Sequence, residues 1–184
     1  SFVLSHLGET GWSVYLEIYG GGFGAGLDTD GCDGVDNPLS NCSNTPVEAL
    51  DQDFSFFRVA SYALRADSCG HGKWRGGLGF TRSFEVLKEN VRIALYSDRF
   101  RRPADGLFGG GGGATGFCEI RRGQEIIKLG SKSAVELKRG DIITLGLGGG
   151  GGYGNPSERP SGKIAEDVED GVISADTARA WGLS

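Results

Sequence analysis

The side chains best suited to chemistry in this 184-residue chain lie beside turns and in glycine-flanked loops. Asn41, Asn44 and Glu48 offer amide and carboxylate groups near a turn. Arg75 precedes Gly76-Gly77, and the Asp98-Arg99 pair opens a short basic stretch. Charged residues placed in loops have the access that binding requires. The planar fork of Arg99 matches an anionic group in two directions at once. For each of these residues the ordinary alternative is turn capping or a surface ion pair. They are candidates for substrate binding or for an interface, and no residue is assigned as catalytic.

Other chemistries fit the sequence poorly. There is no G-x-S-x-G elbow, and neither histidine, His6 nor His71, lies in a pattern that activates a serine or cysteine. His71, between Gly70 and Gly72, reads as a solvated turn residue. Cys32, Cys42, Cys69 and Cys118 contain no CxxC pair, so the spacing of a structural zinc site is absent and no metal is expected on this chain. They read instead as reduced thiols that pack like small apolar side chains. Asn41-Cys42-Ser43 matches a glycosylation sequon by chance, since no secretion signal precedes it. The acidic run from Asp28 to Asn37 resembles a calcium loop but fails in register. Cys32 takes the third ligand position and Leu39 stands where the closing Glu belongs. It reads as a polar Asx-turn loop. The run Gly148 to Gly154 is followed by Asn155-Pro156, which end a helix instead of opening one, so no phosphate cradle is expected there. A backbone packed closely against a neighbouring chain or ligand is the expectation.

A net charge of −5 and scattered arginines argue against nucleic acid as a partner. No apolar run is long enough to span a bilayer, so no membrane role is expected and the chain reads as cytoplasmic. Hydrophobic residues at 38% and aromatics at 10% support a folded core. The chain begins Ser-Phe-Val and has no methionine, the mark of a piece of something longer.

The elements that position the candidates are mostly strands. Period-two alternation predicts strands over 12–18, 54–62, 80–87, 91–97, 117–120, 125–129, 134–137 and 142–147. In the first, Trp12, Val14, Leu16 and Ile18 share one face and Ser13, Tyr15 and Glu17 the other. Arg122-Gly123-Gln124 predicts one hairpin, and Glu89-Asn90 predicts another between the strands of Phe84 and Ile93. Glycine fills 34 positions, in clusters that read as tight turns ending each strand. Helical patterning appears only at 164–170 and 174–181, with Ser174 as N-cap and an acidic face read as solvated. The fold class is mainly β, an antiparallel sandwich or distorted barrel with glycine-rich turns and a short C-terminal helical segment. The organisation is a β-rich domain over 1–160 and a helical tail over 161–184.

Six blocks, in order, carry a resemblance: YGGGFGA (19–25), NTPVEAL (44–50), LRADSCGHGKWRGGLGFTR (64–82), SDRFRRPADGLFGG (97–110), KLGSKSAVELKRGDIITL (128–145) and GGGGYGNPSER (149–159). Together they resemble the C-terminal part of the hydantoinase B and oxoprolinase family, which includes the large subunits of acetone-type carboxylases. The resemblance implies a share in an ATP-dependent enzyme that opens a cyclic amide such as hydantoin or oxoproline, or in a related carboxylase. The alternative is a non-catalytic β-rich assembly module. It also implies a hydantoinase A type partner that binds ATP and phosphorylates the substrate carbonyl oxygen, turning a poor leaving oxygen into a good one. ATP and a divalent metal are then expected elsewhere in the assembly. The family's metal-binding His and Asp residues lie in the N-terminal part of the B-type subunit, which has no counterpart here and is itself an expected partner.

Overall fold

The computed structural model of the chain describes residues 1–35 and 45–182. The elements are β1 (Phe2–Gly8), β2 (Gly11–Glu17), α1 (Val47–Asp53), β3 (Phe57–Leu64), β4 (Phe80–Val86), β5 (Val91–Tyr96), β6 (Phe117–Arg122), β7 (Glu125–Leu129), β8 (Lys132–Leu137) and β9 (Ile142–Gly146), then a 3-10 turn (Pro156–Glu158), α2 (Ser161–Glu169) and α3 (Ala175–Ala180). They build two antiparallel sheets, one ordered β2-β1-β5-β8 and one ordered β3-β4-β9-β6-β7. The fold is therefore mainly β with short C-terminal helices and no closed barrel.

Alternation along β5 buries Val91, Ile93 and Leu95 and exposes the residues between them. The inward sides meet in one core, where Phe2 of the first sheet stacks on Phe84 of the second with ring centroids 4.9 Å apart. Ser174 caps α3 by accepting from the Thr177 N–H, and Arg122-Gly123-Gln124 turns β6 into β7 with Arg122 opposite Glu125. The other expected hairpin does not form. The Glu89-Asn90 connection carries the chain from β4 in one sheet to β5 in the other, with the Asn90 carbonyl accepting from Leu7 of β1. A two-residue link between alternating strands signals a reversal of direction, but not whether the second strand pairs with the first.

The strand at 2–8 lies outside the sequence expectation, and it dictates the orientation of β2. Leu4 faces Tyr15 and Phe2 faces Glu17 across the ladder. Opposed residues share a face, so burying Phe2 and Leu4 also turns Tyr15 and Glu17 inward. Trp12, Val14 and Leu16 consequently point outward and are 59%, 54% and 60% exposed. The inward Glu17 meets Arg82, whose side chain is fully buried, with Nη1 donating to both carboxylate oxygens at 3.0 and 3.1 Å. Arg82 Nη2 donates to the Thr45 carbonyl, and the Tyr19, Tyr62 and Phe84 rings surround the guanidinium.

The long glycine runs are also not turns. Residues 147–152 are extended, and Gly149 to Gly152 are buried. They thread a bundle made with the segments 20–25, 30–35, 68–79 and 104–114, which hydrogen-bond sideways through their backbones. Gly22 N donates to Gly148 O, Gly150 N to Gly77 O, Gly70 N to Gly150 O and Gly152 N to Gly111 O, all at 2.8–3.0 Å. A methyl placed on Gly150 would overlap the Phe23 carbonyl, and one on Gly76 the Gly150 carbonyl. Glycine is required here because backbone lies against backbone, as at the axis of collagen. The expected close approach is present, but its partner is this chain's own backbone.

Candidate functional site

At one end of the glycine bundle three of the motif blocks converge. Lys73 and Trp74 from the 64–82 block, Leu107 and Phe108 from the 97–110 block, and Tyr153 to Asn155 from the last block are held by backbone bonds. Trp74 and Tyr153 exchange N–H···O bonds at 3.0 and 2.9 Å, Lys73 N donates to Gly154 O, and Gly154 N donates to Leu107 O. Phe108 is 75% exposed and sits at φ +53°, a conformation that costs a bulky side chain about 1–2 kcal/mol. Its ring leans on Tyr153 with centroids 5.0 Å apart. His71 is half-buried, covers Gly111 and stacks on Trp181 at 5.2 Å, so it is not the solvated turn residue that its flanking glycines imply.

Beneath these loops lies a cluster of buried charge. Arg159, whose side chain is almost wholly buried, forks onto Asp30 through Nη1 and Nη2 and onto Asp167 through Nε and Nη2. Arg75 grips both oxygens of Asp33 and donates Nε to Asp167, while its backbone N–H reaches Asp30. Burial alone would raise the Asp30 carboxyl, but the Arg159 hydrogen bonds and charge, with the Arg75 N–H, hold it below its ordinary value. Burial likewise opposes the charge on Arg75, and the bonds from Asp33 outweigh it and raise the guanidinium. The cluster ties α2 to the loops at 30–33 and 73–76.

Asp30 and Asp33 therefore belong to a built ion network and not to a solvated Asx turn. Asp167 is not part of a solvated acidic face. The sequence offered a signal in the two arginines of the KWRGG and NPSER segments, but Arg159 and Asp30 are 129 positions apart. No local pattern could pair them.

The candidates among the described residues do not assemble into one place. Arg75 is held in the network by its three carboxylate and carbonyl partners. Asp98 is exposed and paired with Lys132 at 3.0 Å. Arg99 is exposed at φ +60° and donates Nη1 to the Pro103 carbonyl. Its neighbours Arg101 and Arg102 line the same small cavity of about 280 Å³. Glu48 lies on the exposed side of α1 in its first turn. Asn41 and Asn44 lie outside the described residues.

Reactive groups are scarce. Burial pushes the Cys69 and Cys118 thiols up to about 12, which leaves them protonated and unreactive at neutral pH. Among the described residues no group of three or more His, Cys, Asp or Glu is arranged to hold a metal ion. No helix among the described residues is long and apolar enough to cross a membrane.

The same fold occurs in two solved structures. An ATP-dependent caprolactamase from Pseudomonas jessenii matches with a TM-score of 0.80 at 20% identity, covering 97% of this chain and 33% of that one. Nucleotide-free acetone carboxylase matches with a TM-score of 0.79 at 16% identity, covering 97% and 28%. At such identities these likenesses define the fold alone. Sequence adds the family. The hydantoinase B/oxoprolinase model matches residues 1–156. An uncharacterised protein of Methanocaldococcus jannaschii is 38% identical over 94% of this chain. A putative B-type D-/L-hydantoinase subunit of a Pseudomonas species is 34% identical over 92%. The chain belongs to the hydantoinase B/oxoprolinase family. It spans 30% and 29% of the length of these two relatives.

Proposed function

We propose that this chain is part of a B-type subunit in an ATP-dependent enzyme that opens a cyclic amide of the hydantoin or oxoproline kind. Its membership of the family across residues 1–156 is the observation that carries this reading. The relatives named as a B-type hydantoinase subunit, a 5-oxoprolinase of Dictyostelium discoideum and a caprolactamase β-subunit share a ring C–N bond as the bond in play. A lactam resists attack because its carbonyl is resonance-stabilised, so phosphorylation of the carbonyl oxygen at the expense of ATP would activate it by making that oxygen a good leaving group. ATP and a divalent metal belong to the rest of the assembly, with a hydantoinase A type subunit as the ATP-binding partner. The assembly's proposed location is the cytoplasm, where ATP is available.

Within it, the glycine bundle acts as a rigid mount for the loops at 71–75, 105–110 and 153–155. Arg99 contacts an anionic group of substrate or partner through the guanidinium nitrogens that Pro103 does not occupy. A carboxylase is the second reading, consistent with the fold shared with acetone carboxylase.

The test is ATP-dependent ring opening of hydantoin and oxoproline, with the complete B-type polypeptide alone and mixed with a hydantoinase A type partner. Turnover only in the mixture is expected, and Arg99→Ala should lower it while the complex still forms. ATP-dependent bicarbonate fixation onto a ketone, without ring opening, would replace the hydrolase reading by the carboxylase one.

A further inference from the structure

We propose that the outer face of the four-stranded sheet is the surface on which the rest of a B-type subunit docks. The proposal rests on the family reading above and adds the place of contact. β2 is an edge strand, and its apolar side faces out while its polar side is buried. That inversion is costly in water, because an exposed apolar edge invites uncontrolled pairing unless something covers it.

The face has an organisation that scattered surface residues lack. The ladder registers place Leu16, Val3, Ala94 and Ala134 side by side, an apolar row that crosses all four strands. A second apolar pair, Trp12 opposite Leu7, lies towards the β1–β2 turn, with Val14 between it and the row. Outward charge is confined to β5 and β8, where Arg92 stands opposite Glu136. Relief is complementary as well. Large side chains form a ridge along β2, whereas the small residues Ser5, Ala94 and Ala134 leave shallow grooves of about 430 and 340 Å³ over the middle of the sheet. A ridge beside a trough lined by small residues lets another element's backbone come close.

The relatives identify the occupant. This region is 29% of a B-type hydantoinase subunit and 33% of the caprolactamase chain with the same fold. The remainder, about two thirds of such a subunit, is the polypeptide at hand to cover the face. Among the described residues, this row is the apolar surface that extends across a whole sheet. The occupant is therefore the portion of the B-type subunit outside the match, contacting the sheet through an apolar face.

Hydroxyl-radical labelling read by mass spectrometry tests this, comparing the 184-residue chain with a complete B-type subunit that carries it. Trp12 should be labelled in the isolated chain and lose its labelling in the complete subunit, with the partly buried Trp181 as internal standard. Equal labelling of Trp12 in both overturns the proposal. Val14→Lys and Leu16→Glu provide the second arm. They should leave the melting temperature of the isolated chain unchanged and lower that of the complete subunit. No effect on the complete subunit overturns the proposal. An isolated chain that sediments as a dimer, dissociated by Leu16→Glu, with Trp12 still open in the complete subunit, would assign the face to a second copy and also overturn it. Lactam turnover is not a readout, so a complete subunit that protects Trp12 but opens no ring removes the activity reading and leaves the docking surface standing.

Discussion

Replacing Gly150 by alanine separates the two reasons a protein uses glycine. The added methyl would overlap the Phe23 carbonyl carbon and oxygen and crowd the Gly24 nitrogen, all backbone atoms that cannot rotate away. Moving Gly150 stretches its N–H bond to Gly77 at 2.9 Å and the bond from Gly70 at 2.8 Å. Moving the Phe23 segment instead stretches Phe23 N to Cys32 O at 2.9 Å and Gly77 N to Phe23 O at 2.7 Å. Either route weakens two hydrogen bonds of about 1 kcal/mol each and adds packing strain of about 1–3 kcal/mol, so the cost is about 3–5 kcal/mol. For a chain of this length that lowers the melting temperature by roughly 6–20 °C. Two controls calibrate it. Gly123, at φ +60° with nothing within 4 Å, tests conformation alone, and alanine there should cost about 1–2 kcal/mol. Gly162 in α2 has open space and no positive φ, so alanine there should stabilise by up to about 1 kcal/mol. Urea unfolding followed by fluorescence and circular dichroism gives all three values, provided the two probes coincide. If Gly150→Ala costs no more than Gly123→Ala, close backbone contact is not what the glycine runs supply.

Two further perturbations address the buried charges. Glu17→Gln leaves the Arg82 guanidinium buried without its counter-ion and should destabilise by about 3–5 kcal/mol, while Glu17→Gln combined with Arg82→Met should recover part of that loss in a double-mutant cycle. Simple additivity in urea midpoints would show that the two are not coupled. Asp30, Asp67 and Asp141 are each held below the ordinary carboxyl value of 3.8, because although burial opposes it, hydrogen bonds from Arg159, from Ser174 and from Arg122 respectively favour the charged form. A depressed folded value means the stabilisation is complete above the unfolded value and is lost as pH falls through the lower folded one. Urea midpoints should therefore be flat above about pH 5 and fall below about pH 4, with a shallower fall in Asp30→Asn. An unchanged acid limb in Asp30→Asn would remove that carboxylate from the account.

What was legible in the sequence follows from the range of each physical rule. Period two is local, so β4, β5, β7 and β9 were readable, as was the Ser174 cap. Which side of a strand faces the core is not local. The apolar side of β2 is outward because β1, across a two-residue turn, requires Tyr15 and Glu17 inward. The Asn90 connection failed as a hairpin for the same reason, since a sandwich offers the next strand two sheets to join. The ion network was illegible because Arg75 and Arg159 find their carboxylates 42 to 129 positions away, with the exception of Asp167, which lies eight residues from Arg159 on the first turns after it. The family motifs were legible as ordered blocks, and the structure explains why several are rich in glycine: they are the segments of one backbone bundle.

A bundle whose centre is backbone packed on backbone has a functional consequence. Side chains in an ordinary core can change rotamer and let a loop shift, but the Gly149–Gly152 segment has none, so its position is set by hydrogen bonds in several directions. Loops mounted on it, including the one that holds Phe108 at φ +53°, are fixed before any partner arrives. Pre-set loops lose little conformational entropy on binding, which is what the proposed function asks of them. The Asp30–Arg159–Asp167 cluster extends the same rigidity to α2, which joins the network through Asp167. Rigidity at the bundle and an unsatisfied apolar sheet on the β1–β2 side are thus complementary features. One presents loops of fixed geometry, and the other is the face on which we propose the rest of the subunit docks.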